Sequence, residues 1–229
     1  MKTLGLLGGI SPESTAIYYR EINADVRARL GGVTSAEMII HSVNYGRIHA
    51  WQAAGDWQSI AAHMAAAARG LEAAGADMVL LACNTVHKIA SDIEAALSVP
   101  FLHIVDACAS ALQADQRRRP ALLGTRHTMN GTFFTDRLAA NGLAPILPDA
   151  RGREIINDII FDELTHGIIN PDSLTASCQV ISDLKAAGAD SVILGCTELG
   201  MLLDAQNSPL APYDTALIHC RAAVDFALG

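Results

Sequence analysis

The sequence of 229 residues has few basic and few aromatic side chains, and it has no long apolar run. Its 16 Lys and Arg stand against 24 Asp and Glu, so the net charge is −8. A surface that neutralises phosphates needs the opposite sign, and this balance argues against nucleic acid as a partner. No apolar stretch approaches the roughly 20 residues of a membrane-spanning helix, so we also expect no membrane segment.

Paired cysteines are missing too. The five cysteines form no C-x-x-C pair, and none has a histidine partner at zinc-finger spacing. An odd number of widely spaced cysteines is not typical of a disulfide framework or of a structural zinc site. No signal-peptide cleavage pattern follows the short apolar run at the N-terminus. We therefore predict a cytoplasmic protein with reduced thiols and no metal.

Nucleotide-binding signatures are also absent. GLLGG, residues 5–9, lacks the G-x-G-x-x-G spacing, and no G-x-x-x-x-G-K-[ST] motif occurs. Apolar residues, in contrast, form 51% of the chain, which is enough to bury a core. The length fits one large domain or two of about 100 residues.

An internal repeat decides between these two possibilities. Residues 71–83 read LEAAGADMVLLAC and residues 184–196 read LKAAGADSVILGC, with nine of thirteen positions identical at an offset of 113. A weaker match relates GLLGG, residues 5–9, to ALLGT, residues 121–125, at an offset of 116. The chain therefore contains two copies of one unit of a little over 100 residues.

Short apolar runs alternate with longer helical patterns, which is typical of parallel βαβ units. We predict an α/β fold of two pseudo-symmetric domains, each with a central, mostly parallel sheet flanked by helices. The first domain is predicted to span 1–98 and to be completed by the C-terminal helix 214–229, and the second to span 99–213. The predicted strands are 3–7, 37–42, 78–82, 101–105, 121–124, 144–147, 191–195 and 210–213. The predicted helices are 12–29, 57–74, 87–97, 129–141, 151–166, 171–187 and 215–228.

The repeat places Cys83 and Cys196 at the carboxyl ends of equivalent strands, where ligands bind in parallel α/β sheets. A thiol there is expected to face backbone N–H groups and a helix dipole, which lower its pKa from about 8.5. If both sulfurs line one cleft, one thiolate can remove a proton from a carbon acid while the opposite thiol returns one. This pattern predicts an enzyme that inverts a stereocentre. Cys108, Cys178 and Cys220 lack the polar neighbours of this pair and are interpreted as packing residues.

Five motifs resemble the aspartate/glutamate racemase family of cofactor-independent amino-acid racemases. They are GLLGGISPEST at residue 5, HSVNY at 41, ACNTVHK at 82, LLGTRHTM at 122 and GCTELG at 195. The resemblance covers essentially the whole chain and is strongest to the broad-specificity amino-acid racemases. It implies an active site in an interdomain cleft, a homodimer, and catalysis without pyridoxal phosphate, metal or any other cofactor.

The resemblance also implies roles for individual residues. Cys83 and Cys196 become the catalytic acid and base. The amino-acid substrate is expected to contact residues from both halves: Ile10, Ser11, Gln52, Asn84, Thr85, Thr125, Thr197 and Glu198. His87, His127 and Arg47 lie near these motifs, and the sequence leaves open whether they assist.

The pattern of the aspartate-specific members is incomplete in this chain. Their Arg after the second strand has no clean match at 47–49, and their Lys falls at Thr165 or His166, so strict aspartate specificity is not expected. Relatives in the family isomerise maleate, racemise hydantoins or decarboxylate arylmalonates, and these reactions remain alternatives. A small-molecule-binding protein without catalysis is a further alternative.

Overall fold

A computed structural model describes residues 1–229 and contains two parallel β-sheets in two compact units. The first unit comprises Met1–Ile104 together with His219–Gly229, and the second comprises Val105–Ile218. The predicted α/β class, with parallel sheets flanked by helices, is confirmed. None of the helices is both long enough and apolar enough to cross a membrane.

The first unit is built on a four-stranded sheet with the strand order β2-β1-β3-β4, in which all neighbouring strands are parallel. The strands are β1 (Leu4–Gly8), β2 (Met38–Ser42), β3 (Met78–Leu81) and β4 (Phe101–Leu102). The helices are α1 (Pro12–Leu30), α2 (Tyr45–Ala54), α3 (Trp57–Ala73) and α4 (Ala90–Glu94), and a 3-10 turn covers Thr85–Ile89. Ser11 caps α1, because the amide of Ser14 donates to its hydroxyl at 3.3 Å.

The second unit is built on a three-stranded parallel sheet with the order β5-β6-β7. The strands are β5 (Pro120–Gly124), β6 (Ser191–Gly195) and β7 (Pro212–Asp214). The helices are α5 (Ile104–Ala114), α6 (Arg126–Asn130), α7 (Phe133–Ala140), α8 (Ala150–Asp158), α9 (Pro171–Ala186) and α10 (Thr215–Leu228). A π-helical turn covers Ile159–Glu163, and 3-10 turns cover Leu164–His166 and Thr197–Met201. The C-terminal helix α10 begins in the second unit and ends in the first.

The sequence repeat corresponds to a repeat of strand pairing. Leu7 of β1 pairs with Leu81 of β3, and Leu123 of β5 pairs with Leu194 of β6. Leu123 follows Leu7 by 116 residues, and Leu194 follows Leu81 by 113 residues. These are the two offsets found in the sequence repeat. Each unit therefore contains the same pair of buried strands in the same register.

Two predicted strands are shorter by three residues each in the structure. The strand predicted over 101–105 ends after two residues, because α5 begins at once. The strand predicted over 144–147 forms only an isolated bridge between Ile146 and Ala121. The amides of Ala144 and Ile146 donate to the carbonyls of Arg118 and Pro120. The next amide in this alternation would be that of Pro148, which has no N–H group, so the pairing ends.

The helices differ from the prediction in five places. No helix was predicted over α5, and the helix predicted over 151–166 continues after Asp158 as the π-helical turn and a 3-10 turn. The helix predicted over 129–141 is divided into α6 and α7 by Gly131, whose backbone is extended. The helix predicted over 87–97 is replaced by the first 3-10 turn and the short α4. No helix was predicted over α2, since Ile48 is its single buried residue and its apolar residues show no helical period.

The boundaries between the two compact units lie a few residues after the predicted domain boundaries. The predicted domains, 1–98 with 214–229 and 99–213, change at 98 and 213, whereas the compact units change after Ile104 and Ile218. The pairing of β4 with β3 adds residues 101 and 102 to the first sheet. The domain bounds, 1–98 with 214–229 and 99–213, stay a prediction.

Three buried histidines, His87, His103 and His219, lie together in the first unit. The ring of His87 lies 4.6 Å from that of His103 and 5.9 Å from that of His219, measured between centroids. His219 Nε2 lies 2.9 Å from the carbonyl oxygen of Leu102, and its Nδ1 lies 2.9 Å from the hydroxyl of Tyr18. A carbonyl oxygen can only accept, so Nε2 carries the proton and Nδ1 accepts from Tyr18. The neutral imidazole of His219 thus links α10 to β4 and α1.

This burial predicts a loss of stability in mild acid. Burial lowers the pKa of His219 from 6.5 to about 4. In the unfolded chain the imidazole takes up a proton as the pH falls through about 6.5, while in the folded chain it does not until about 4. The free energy of unfolding should therefore fall between these pH values, by about 3 kcal/mol in total from this group.

Urea unfolding at pH 7, 6, 5 and 4.5 of the wild-type chain and of His219→Gln measures this contribution. The variant is expected to be less stable at pH 7 and to lose less stability on acidification, so the two curves converge. Carboxylates and the other histidines titrate in both chains and cancel in the comparison. Parallel curves would contradict the assignment.

Candidate active site

The carboxyl edge of the first sheet carries the first group of predicted site residues. The amide of Ala82 donates to the carbonyl of Leu7 at 2.9 Å, which joins the ends of β3 and β1. Cys83 follows directly and is half-buried. Because β1 and β3 are adjacent and parallel, residues 9–11 and 83–87 leave the sheet side by side. We call these residues the first loop cluster.

The loop after β1 is fixed by contacts with its neighbours. Gly9 has a φ of +90°, and a Cβ at this position would lie 2.2 Å from the carbonyl oxygen of Val43, so glycine is required. The amide of Gly9 donates to Thr15 Oγ1 at 2.7 Å, and that hydroxyl donates to the carbonyl of Ser11 at 2.9 Å. Ile10 is buried between these residues. Thr15 was not singled out from the sequence, although a threonine one turn into a capped helix is a signal for such a contact.

His87 holds the backbone of Cys83. Its Nδ1 lies 2.7 Å from the carbonyl oxygen of Cys83, and its Nε2 lies 3.2 Å from the amide nitrogen of Ile104. The amide can only donate, so Nε2 is unprotonated and Nδ1 donates its proton to Cys83. His87 is therefore a neutral positioning residue. Between Cys83 and His87, Asn84 and Val86 are buried and Thr85 is half-buried.

The second sheet presents an equivalent arrangement. Gly124 at the end of β5 pairs with Gly195 at the end of β6, so Thr125 and Cys196 are the next residues of adjacent strands. Thr125 is buried and caps α6, since the amide of Thr128 donates to its hydroxyl at 3.4 Å. Cys196 is half-buried, as Cys83 is in the first unit. We call residue 125 and residues 196–198 the second loop cluster.

A carboxylate lies beside the second thiol. Cys196 Sγ donates to Oε2 of Glu198 at 2.8 Å, and Thr197 Oγ1 donates to the same oxygen at 2.7 Å. Thr197 is buried, while Glu198 is half-buried. The residue 113 positions before Glu198 is Thr85, which cannot carry a charge. The two loop clusters therefore share their backbone arrangement but differ in the residue two positions after the thiol.

Comparison with known proteins identifies the family of this chain. The family model described as Asp/Glu/Hydantoin racemase matches residues 7–223, nearly the whole sequence. The chain belongs to this family. The family agrees with the resemblance carried by the five sequence motifs, and it makes the chain an enzyme of the isomerase class, a racemase.

Similar proteins include curated and structurally solved members of this racemase family. The broad specificity amino-acid racemase RacX of Bacillus subtilis is 26% identical over 226 residues, which cover 96% of each chain. The structure of a candidate Asp/Glu racemase from Yersinia pestis is 46% identical over 100% of both chains, with a TM-score of 0.96. An aspartate racemase homologue from Pyrococcus horikoshii is 31% identical over 100% of both chains, with a TM-score of 0.90.

Other residues considered in the sequence lie outside the two loop clusters of this racemase. Gln52 is half-buried on α2. Arg47 is exposed on the same helix, and His127 is exposed on α6. Thr165 and His166, which align with the Lys of aspartate-specific members, are exposed on the 3-10 turn after α8.

The expected helix dipole at each cysteine is weaker than the sequence suggested. Five-residue 3-10 turns, Thr85–Ile89 and Thr197–Met201, follow the two cysteines where α-helices were expected. A single short turn aligns few peptide dipoles, so it adds little to the stabilisation of a thiolate.

No group of three or more His, Cys, Asp or Glu side chains is placed to hold a metal ion.

The other three cysteines of the racemase are packing residues. Cys108 and Cys220 are buried. Burial raises the pKa of Cys108 to about 12, and the nearby charge of Asp214 adds to this shift. Cys178 donates to the carbonyl of Asn207 at 3.3 Å, and partial burial raises its pKa as well. A thiol that stays protonated near neutral pH is a poor nucleophile and base, which agrees with their interpretation from the sequence.

Replacement of His87 tests its positioning role. His87→Phe keeps an aromatic ring but leaves the partly buried carbonyl of Cys83 and the buried amide of Ile104 without their imidazole partner. We expect the free energy of unfolding to fall by about 2–4 kcal/mol. The matched control His49→Phe, at an exposed position on α2, should change it by less than about 0.5 kcal/mol. Urea denaturation measures both, and equal effects of the two variants would contradict the role of His87.

Proposed function

We propose that this racemase interconverts L- and D-amino acids without a cofactor, with Cys83 and Cys196 as its acid and base. The observation that carries the proposal is the equivalent placement of the two thiols. Each follows an interior strand of its sheet and lies next to the loop of the neighbouring parallel strand. Both residues are half-buried at the edge of their sheets.

The proposed reaction moves one proton at each sulfur. The thiolate of one cysteine removes the α-proton, which forms an S–H bond and leaves the electron pair on Cα. The thiol of the other cysteine donates its proton to the opposite face of Cα and keeps the negative charge. For the mirror-image substrate the roles reverse, so two nearly equivalent groups are required. Both sulfurs must be reduced, which suits the cytoplasmic location expected from the sequence.

The remaining residues of the loop clusters suit the part of the substrate that all amino acids share. Their side chains and main-chain groups are neutral donors and acceptors, which can bind an α-carboxylate and an ammonium group without preferring one side chain. We propose that the substrate contacts are made by Gln52 of α2 together with seven residues of the loop clusters: Ile10, Ser11, Asn84, Thr85, Thr125, Thr197 and Glu198. Glu198 adds the single negative charge in this set.

We propose a broad range of amino-acid substrates. The position of the Lys in aspartate-specific members is occupied by Thr165 or His166, both exposed, so this cation is missing. The relative from Bacillus subtilis is named a broad specificity amino-acid racemase, in agreement with this choice. Incubation of the protein with each chiral protein amino acid, followed by chiral chromatography, identifies the preferred side chain.

Replacement of each cysteine tests the two-thiol mechanism. In D2O the wild-type protein should exchange the α-proton of both enantiomers of a substrate and equalise their amounts. Cys83→Ala and Cys196→Ala should each lower the racemisation rate by at least about 100-fold, because each removes one acid/base group. Each variant should still exchange the α-proton of one enantiomer, since the remaining thiol can remove and return a proton on the same face. Proton NMR and chiral chromatography follow exchange and racemisation separately.

Cys178→Ser is the matched control, because this cysteine lies outside both loop clusters. It should racemise at the wild-type rate within about twofold, and circular dichroism should show that all variants are folded. Racemisation that survives in folded Cys83→Ala or Cys196→Ala would sink the mechanism. Absence of exchange with every amino acid in the wild-type protein would refute the activity itself.

We also propose that the chain forms a homodimer, as the family resemblance implies. The first unit exposes apolar side chains that a second copy could cover. Tyr19 and Leu30 are about half exposed on one side of α1, and Val33 beyond the helix is 99% exposed. Light scattering coupled to size-exclusion chromatography should give twice the chain mass of 24.2 kDa, and Val33→Asp with Leu30→Asp should reduce it. A monomeric wild-type protein at micromolar concentration would contradict this proposal.

A further inference from the structure

A cavity in the second unit lies outside both loop clusters. It has a volume of about 490 Å³ and is lined by Arg126 and Asn130 of α6 and by Ala150, Arg153 and Glu154 of α8. None of the residues given a catalytic or substrate-binding role above lines it. We propose that this cavity binds a free α-amino acid, with its carboxylate at the two arginines and its ammonium group at Glu154.

The strand pairing separates the cavity from Cys196. Ala121 of β5 bridges to Ile146 on one side and pairs with Val192 of β6 on the other. The segment around Ile146 leads into α8, whereas β6 leads to Cys196. β5 therefore lies between the segment that leads to the cavity and the strand that leads to the thiol. Binding in the cavity is thus independent of the two-thiol mechanism.

Two opposite charges line the cavity without pairing. Arg126 and Glu154 are both exposed. The backbone amide of Arg126 donates to Asn157 Oδ1 at 3.0 Å, but neither charged group forms a hydrogen bond or an ion pair within the chain. A ligand that carries both a carboxylate and an ammonium group can contact both side chains at once, which a simple anion or cation cannot do.

The second arginine is held in place by neutral acceptors. Arg153 Nε donates to the carbonyl of Pro148 at 2.8 Å, and its Nη1 donates to the carbonyl of Met129 at 3.3 Å and to Asn130 Oδ1 at 2.9 Å. These contacts leave the positive charge uncompensated, and Nη2 takes no part in them. Because Asn130 accepts through Oδ1, its Nδ2 group is also available as a donor. The lining therefore offers fixed donors to a carboxylate.

The charges of the lining favour a zwitterion over other small ions. Arg126 and Arg153 attract a carboxylate, whereas Glu154 repels phosphate and dicarboxylates, which carry additional negative charge. A cation without a carboxylate would face two guanidinium groups. The volume of about 490 Å³ lies within the range of small-ligand pockets, so it has room for an amino acid and its side chain.

Nuclear magnetic resonance with three matched probes tests the site. α-Aminoisobutyrate is an α-amino acid without an α-proton, so a racemase cannot convert it; isobutyrate lacks its ammonium group, and isopropylammonium lacks its carboxylate. Each probe is titrated into the isotope-labelled wild-type protein, and the backbone amides of 150–154 report on the cavity. α-Aminoisobutyrate should shift them with a dissociation constant in the millimolar range. Isobutyrate should bind at least about fivefold more weakly, and isopropylammonium should give no saturable shift.

Variants of the lining assign the two ends of the ligand. Arg126→Gln should raise the dissociation constant of α-aminoisobutyrate about tenfold, because it removes a charged donor to the carboxylate. Glu154→Gln should raise it about fivefold but should tighten the binding of isobutyrate, because it removes a negative charge beside a simple carboxylate. Arg151→Gln is the matched control, since this arginine is exposed on α8 and does not line the cavity. It should change neither constant by more than about twofold.

The outcomes decide between this site and simpler alternatives. Absence of a saturable shift at 150–154 with α-aminoisobutyrate up to about 50 mM refutes the proposal. Tighter binding of inorganic phosphate or isobutyrate overturns it and indicates a site for anions, and an unchanged constant in Arg126→Gln overturns it as well. The amides of 83–87 and 196–198 report on the loop clusters separately. If the wild-type protein racemises no amino acid, the proposed function fails, while the shifts at 150–154 still decide whether the cavity binds one.

Discussion

Parallel strands end at one edge of their sheet, and the candidate site depends on this constraint in both units. Residues that are more than 70 positions apart, such as Leu7 and Leu81, become neighbours through strand pairing. At the second sheet Gly124 pairs with Gly195, where a Cβ on Gly195 would lie 2.7 Å from a backbone oxygen. A shift of one residue in either register would turn the following cysteine to the other face. The close pairing of buried strands therefore determines where each thiol lies.

The duplicated strand pairing explains the equivalent positions of the two thiols, whereas the side chains that follow each thiol differ. The first cluster contains His87, which binds two backbone groups and stays neutral. The second has Gly200 at the equivalent position, 113 residues later, and places Glu198 against the sulfur. The buried strands hold the backbone of each loop cluster in place. A half-buried side chain such as Glu198 can differ between the clusters without altering the fold.

Elements with a strong apolar period and clear end signals could be predicted from the sequence. β6 matches its predicted bounds, and α10 does as well, while α1 is one residue longer than predicted at its end. Prediction was wrong where a tertiary contact or a backbone break decided the outcome. Gly131 divides one predicted helix, and the mostly exposed α2 shows no pattern that would reveal it. Short 3-10 turns after the cysteines likewise have no sequence pattern of their own.

The sequence by itself determined the α/β class, the duplication and the pair of equivalent cysteines, because these depend on residue order and periodicity. It also gave the motifs of the racemase family, and the family model later matched nearly the whole chain. Only the tertiary structure decided that Thr15 fixes the glycine loop, that His87 is neutral with a defined tautomer, and that Glu198 accepts from Cys196. Hydrogen-bond partners and burial depend on which atoms folding brings together. The spacing of residues along the chain does not specify them.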